Sequence, residues 1–280
     1  MSEMTATNHL TKFGPHNPAK SILQQFRELY EYRGILFNIT ATTIRAQYRG
    51  SFLGATWTVL GPFFLLAIHV AVFGHLIGRG VPNYALYLIS GMVPFLSFNQ
   101  SCMGGCRSFT NGEVYLRRVY LPKLLLPTST LLVNMFSFTC TFASVMLLVP
   151  FLHSRLSIHW VILPAAIFLL FMFNYGAIML MAVINVYFRD MEHFTAAGLR
   201  AMYFLTPVIY KSQPPLPEVV ITINTYNPMT YYLIFFRSAL YSNTWPEPRV
   251  WLITCCLSLG MFSLGLLVLR KFQDKIIYAL

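Results

Sequence analysis

Five stretches of this chain contain no Asp, Glu, Lys or Arg and are each long enough to cross a lipid bilayer: Gly50–Gly78, Gly80–Cys106, Leu124–Ser154, Leu156–Phe188 and Val250–Leu269. A crossing helix needs about 20 mostly apolar residues. Within hydrocarbon, a segment must satisfy its own backbone hydrogen bonds, which restricts spans to helices and closed barrels. Uninterrupted apolar runs of this length predict helices. The expected fold is therefore an all-α integral membrane protein. Composition agrees, since charged residues are 10% of the 280 positions, against about a quarter in soluble proteins.

A sixth run, Met191–Tyr210, is interrupted by Arg200. Charge sidedness argues that it crosses. With six spans and the N-terminus inside, fifteen of the twenty Lys and Arg residues fall in inward-facing segments, leaving Arg79, Arg155, Lys211, Arg237 and Arg249 outside. If the sixth run did not cross, the basic tail Arg270, Lys271 and Lys275 would lie outside, against the positive-inside bias. Arg200 then either snorkels to the inner interface or faces a wet cavity. The net charge of +11 is thus a matter of topology, and nucleic acid is not needed to explain it.

Residues 1–17 read as a disordered polar leader without a cleavable signal sequence. Residues 18–49 read as an interfacial region. Ile22, Leu23, Phe26, Leu29 and Tyr30 share one face of a helix, and Lys20, Gln24, Arg27, Glu28 and Glu31 share the other. That pattern suits a helix lying in the membrane interface, or a soluble helix packed on a partner. Residues 50–280 form the six-helix transmembrane domain. Within it, 107–123 is a short charged inner segment, and 211–249 is a long proline-rich outer one whose run Met229–Leu240 is too short to span and reads as re-entrant. Gly50/Gly54 and Gly74/Gly78 have the small-xxx-small spacing that lets helices approach closely.

The chemistry that is missing narrows the function. There is no GxxxxGK[ST] loop for ATP, no HExxH, no GxSxG and no DxD pair, and none of the nine acidic residues lies in an apolar core. Catalysis on lipid-linked sugars and ion-coupled transport both call for titratable groups at membrane depth. His69 and His75 lie in the first run without an acidic partner, which favours satisfied structural histidines or neutral pore-lining donors over a proton relay. The five cysteines lack metal or redox spacing and read as small buried hydrophobes. Aromatics are 16% of the chain, mostly as interfacial belts and packing. Trp57, Phe63, Phe64, Phe73, Tyr203, Phe204 and Tyr210, with the outer tyrosines, are placed where a sugar polymer could slide over ring faces.

Several motifs resemble, in order along residues 20–280, the bacterial polysaccharide export permeases. These are Arg45-Ala-Gln-Tyr-Arg-Gly-Ser-Phe-Leu-Gly-Ala-Thr-Trp57 with Pro62, Tyr87-Leu-Ile-Ser-Gly-Met-Val-Pro-Phe95, Tyr115-Leu-Arg-Arg-Val-Tyr-Leu-Pro122, Val186-Tyr-Phe-Arg-Asp190, Thr206-Pro-Val-Ile-Tyr210, and Tyr226-Asn-Pro228 followed by Phe236-Arg237. Such permeases are the membrane subunits of type-2 ABC exporters for O-antigen, capsule and teichoic acid.

The resemblance implies a homodimer in the bacterial inner membrane, working with two copies of a separate ATPase subunit that carries ATP and Mg. This chain itself would bind no cofactor or metal and would not be an enzyme. Its substrate would be a lipid-linked polysaccharide, admitted among membrane lipids. Asn111, Glu113, Arg117 and Arg118 would form the coupling helix that docks on the ATPase, where the plain alternative is a solvated loop. Arg27 and Arg33, with Arg200, would meet a lipid pyrophosphate at entry. Arg200 departs from the uncharged polar residue expected there. Trp57, Phe63, Phe64, Tyr203, Phe204, Tyr210, Tyr231 and Tyr232 would line the channel and its outer gate. The rival readings are an ABC permease for a small apolar substrate such as a drug or haem, and an integral-membrane enzyme acting on lipid-linked sugars.

Overall fold

The computed structural model describes residues 22–75, 81–118, 121–152, 157–213 and 216–279. The leader 1–17, the start of the interfacial region, Arg79 and Arg155 lie outside the described residues. Among those described, every regular element is helical. In chain order they are α1 (Ile22–Glu31), α2 (Arg33–Tyr48), α3 (Trp57–Phe73), α4 (Tyr84–Asn111), α5 (Glu113–Arg118), α6 (Leu125–Leu152), α7 (Ile162–Tyr187), α8 (Met191–Leu205), α9 (Glu218–Tyr226), α10 (Pro228–Arg237), α11 (Pro248–Phe272) and α12 (Ile276–Ala279). A π-helical turn, Ser238–Ser242, extends α10.

Among the described residues, four helices are long and apolar enough to cross a membrane: Gly54–Phe73, Leu125–Val149, Ile158–Tyr187 and Pro248–Phe272. Two expected spans fall outside that set for different reasons. The first, α4, is 28 residues long, about 42 Å at 1.5 Å per residue, but it carries many small and polar side chains. It can do so because it is the central helix, with Leu86–Phe95 almost entirely buried and with α6, α7, α8 and α10 packed around it. The second, α8, has only 15 residues, about 22 Å. Pro207 has no N–H to offer, and the chain leaves the helix at Thr206 in extended conformation (ψ 139°).

Backbone contact between α7 and α11 sets the core. A Cβ on Gly176 would lie 2.2 Å from the Met261 carbonyl oxygen, and one on Gly265 would lie 2.3 Å from the Gly176 carbonyl oxygen. Apolar side chains do little to drive helices together in lipid, so close packing and interhelical hydrogen bonds carry the association. Such bonds recur here. Asn174 Nδ2 donates to Ser97 Oγ (3.1 Å), and Tyr175 Oη pairs with Thr128 Oγ1 (2.6 Å). Tyr232 Oη pairs with Ser258 Oγ (2.7 Å), which donates to the Leu169 carbonyl (2.9 Å).

Two apolar clusters result. The larger fills the space between α4, α7, α10 and α11. The smaller, at the end bearing α5, joins Leu36 of α2, Phe109 of α4, Leu116 of α5, Leu125 of α6, Val183 of α7, Leu269 of α11 and Ile276 of α12. Beside it, burial holds the Lys123 amine below the usual lysine range, an effect that the charge of Asp274 opposes.

The expected pairing of Gly50 with Gly54 as a helix-approach motif is corrected. Both residues have positive φ (78° and 51°) and open space at the Cβ position, so they turn the chain into α3 and pack against nothing. The interfacial region is also two helices, meeting at Tyr32. Leu23 is 81% exposed and Tyr30 67%, an apolar face that the rest of the protein leaves uncovered. Arg237, counted with the outer charges, is instead buried within α10. The run Met229–Leu240 is buried along nearly its whole length, as a helix with no membrane-spanning length requires.

Substituting Gly176→Ala or Gly265→Ala forces α7 and α11 apart. The expected destabilisation is about 1–3 kcal/mol, read as a lower unfolding midpoint in detergent. Gly198→Ala or Gly260→Ala, where a Cβ meets nothing within 4 Å, leaves the midpoint unchanged.

Candidate functional site

At the end bearing α5, a short helix is anchored on one face and exposed on the other. α4 runs to Asn111, and Gly112 lets the chain turn against α6, where a Cβ would lie 2.4 Å from Leu126 Cδ1. The helix α5 then buries Leu116 in the smaller cluster while Val114 is 57% exposed and Tyr115 44%. Asn111 is exposed and Glu113 half-buried. Arg117 and Arg118 close the helix, and their side chains lie outside the described residues. Val114 and Tyr115 were not among the expected coupling residues, although an apolar pair inside a charged segment was the available signal.

Beside α5 lies a cleft of about 440 Å³ between α2, α4 and α6, lined by Thr43, Gln47, Arg107, Asn111, Tyr115 and Asn134 among others. The Ser108 hydroxyl lines it, buried and without a hydrogen-bond partner. Arg107 reaches from α4 to Glu192 of α8, with Nη2 at 2.6 Å and Nε at 2.8 Å from the same carboxylate oxygen.

At the far end, Arg237 sits in a cage of tyrosines. Its guanidinium stacks on the Tyr87 ring at 3.8 Å and donates through Nη2 to the Val208 carbonyl at 2.8 Å. Its Nε has no partner, and the floor of the seat is Gly91, where a Cβ would lie 2.6 Å from Nη2. Tyr84 Oη donates to the Ile209 carbonyl (3.0 Å), Tyr87 Oη to that of Tyr210 (2.7 Å) and Tyr241 Oη to that of Pro82 (2.9 Å). The turn Thr206–Tyr210 lies beyond the helical ladder, and the bonds from Tyr84, Tyr87 and Arg237 hold it. Asn227 adds a further tie, donating to Thr206 Oγ1 at 2.7 Å.

The expected channel residues divide into groups. Tyr203, Phe204 and Tyr210 come together: the Tyr203 and Phe204 rings are 5.5 Å apart, and Tyr210 Oη donates to the Phe204 carbonyl at 3.1 Å. Tyr203 Oη also meets His69 Nε2 at 3.0 Å, while His69 Nδ1 lies 2.7 Å from the Leu65 carbonyl. That carbonyl can only accept, so a neutral ring with its proton on Nδ1 satisfies both contacts. Trp57 and Phe64 are exposed on α3, whereas Phe63 packs against the core. Tyr231 Oη donates to the Thr225 carbonyl at 2.9 Å.

Tyr232 is fully buried against α7 and α11, so in this conformation it is a packing post and lines no surface. Arg27 pairs with Glu31 at 3.6 Å, and Arg33 lies over Tyr30 at 4.5 Å. Both belong to the exposed first helices. Arg200 is exposed on α8, and no contact joins it to them.

No family model matches the chain. It is 28% identical over 227 residues to the O-antigen export system permease protein RfbA of Myxococcus xanthus, a match covering 81% of this chain and 87% of that protein. Two permeases of the same name from Klebsiella pneumoniae are each 26% identical, over 211 residues (75% of this chain and 81% of the relative) and 204 residues (72% and 78%). The likeness to polysaccharide export permeases is borne out. The matches cover 72–81% of this chain.

The seat of Arg237 predicts non-additive stability. Gly91→Ala pushes the guanidinium off Tyr87 and costs about 1–2 kcal/mol. In the Arg237→Met background, where the clash is gone, the same change costs less than about 0.5 kcal/mol. Thermal unfolding of the two single variants and the double variant reads the difference.

Proposed function

We propose that this chain is the permease subunit of an ATP-driven exporter that moves a lipid-linked polysaccharide across the bacterial inner membrane. The observation that carries the reading is the anchored lever at α5, in a chain whose relatives are O-antigen export permeases. One face of α5 is fixed through Leu116 to the cluster that joins α2, α4, α6, α7 and α11. Its other face presents Val114 and Tyr115 beside Asn111 and Glu113. A partner that grips this face moves the transmembrane bundle with it.

The α5 end is cytoplasmic, and a separate ATPase chain supplies ATP and Mg, with two copies serving a permease homodimer. Six segments cross: the four apolar helices, the central α4, whose burial within protein excuses its polarity, and α8 continued by Thr206–Tyr210. The exposed apolar face of α1 lies along the inner leaflet. There Arg27, Arg33 and Arg200 are the cations available to a lipid-linked phosphate. ATP binding closes the partner subunits, α5 moves, and aromatic surfaces on α3 and α8 admit a sugar-wide polymer towards the outer segment 211–249.

Two measurements test this. Co-purification recovers a separate ATPase with the chain, and its hydrolysis rate rises when the two are combined. Glu113→Ala and Tyr115→Ala each lower polymer export about ten-fold, a coupling loss near 1.4 kcal/mol, while the folded permease is retained. Unchanged export and unchanged ATPase stimulation in both variants would sink the lever.

A further inference from the structure

We propose that Arg107 and Glu192 form a strut through which movement of α5 reaches α8; this rests on the export reading above. Arg107 lies one turn before the end of α4 and is therefore continuous with Gly112 and α5. Glu192 is the second residue of α8. Two guanidinium nitrogens, Nη2 at 2.6 Å and Nε at 2.8 Å, converge on one carboxylate oxygen. Both reach the same oxygen, so the pair is a single charge-assisted contact that links α4 to α8 at a set distance.

The same turn of α4 is tied to its neighbours twice more. Cys106 Sγ approaches Thr195 Oγ1 of α8 at 3.6 Å, and Asn185 Nδ2 of α7 donates to the Cys106 carbonyl at 2.8 Å. The foot of α8 is thus held by the segment that leads into α5.

α8 is pinned to α4 at both ends, but by different chemistry. At the far end, Tyr84 and Tyr87 donate to the carbonyls of Ile209 and Tyr210. The first of those bonds is buried and the second part-buried, beside the buried Arg237, so both are shielded from water more than the near-end contact is. At the near end, Arg107 is 53% exposed and Glu192 30%. Water can solvate both partners there, so this ion pair breaks and re-forms cheaply and adds little to the stability of the fold. A contact of that kind directs motion more than it secures structure. α8 in turn reaches α3 through Tyr203 and His69. A push on α5 therefore has a directional route into the two helices whose aromatic faces are open.

The test uses the complete complex with its ATPase and reads polymer exported per ATP hydrolysed. The variants are Arg107→Glu, Glu192→Arg and the combined charge swap, with assembly followed by co-purification. Each single reversal is expected to lower the ratio about three-fold or more. The swap is expected to recover roughly half of the loss or more, because the attraction is restored with its direction inverted. An unchanged ratio in the single variants overturns the strut, and so does a swap no better than either reversal. If a reversal prevents assembly, Glu192→Gln removes the charge at constant shape, and an unchanged ratio there overturns the proposal equally. A wild-type chain that binds no ATPase removes the export reading itself, and that outcome is visible in the co-purification before any variant is made.

Discussion

The contact between Gly176 and Gly265 governs the arrangement of the other helices. With no side chain at either position, α7 and α11 meet backbone to backbone. Their approach leaves room for α4 to lie along α7 and for α10 to enter between α4 and α11. In lipid, where neighbouring chains are as apolar as leucine, close approach supplies what the hydrophobic effect supplies in water. The buried hydrogen bonds of Asn174, Tyr175 and Tyr232 fix rotation and register about that contact.

Arg237 shows how a cation is kept inside this assembly. No carboxylate joins its cage among the described residues. The Tyr87 ring and the Val208 carbonyl receive it instead. Dipoles and ring faces offer less attraction than a counter-ion, and they do so with fixed geometry. The outcome is a rigid knot where α4, α10 and the turn after α8 meet. Rigidity at that end contrasts with the exposed, hydratable contact of Arg107 and Glu192 at the other. The segment after α8 is tied by buried and part-buried bonds, and the foot of α8 by a more exposed one.

Much of the fold was legible from apolar runs alone, because length and absence of charge are one-dimensional properties. Leu125–Val149, Ile158–Tyr187 and Pro248–Phe272 match the expected runs. The burial of Met229–Leu240 was legible for a related reason: such a run is too apolar to stay wet and too short to cross. What was not legible depends on partners distant in sequence. Gly176 and Gly265 carry no local mark, whereas Gly50 and Gly54, spaced as a packing motif, serve a turn with positive φ. The burial of Tyr232 and Arg237 likewise depends on which helix faces them, which the order of residues does not disclose. At the candidate site the sequence showed a charged segment, but the exposure of Val114 and Tyr115 within it appears only in the structure, since charge density alone directs attention to the ions.

α3 is the least buried of the four apolar membrane-length helices among the described residues. Trp57, Phe64, Ile68 and Val72 all look outward, and the described ties of the helix to its neighbours include one imidazole–phenol bond to α8 and one hydroxyl bond from Thr141 to the Thr58 carbonyl. Pro62 removes a rung from its backbone ladder near the start. A helix so lightly fastened and already notched behaves as a hinged panel. Its main neighbours are α6 and α4, outside the glycine-locked pair of α7 and α11, so an opening at α3 need not disturb the most closely packed layer.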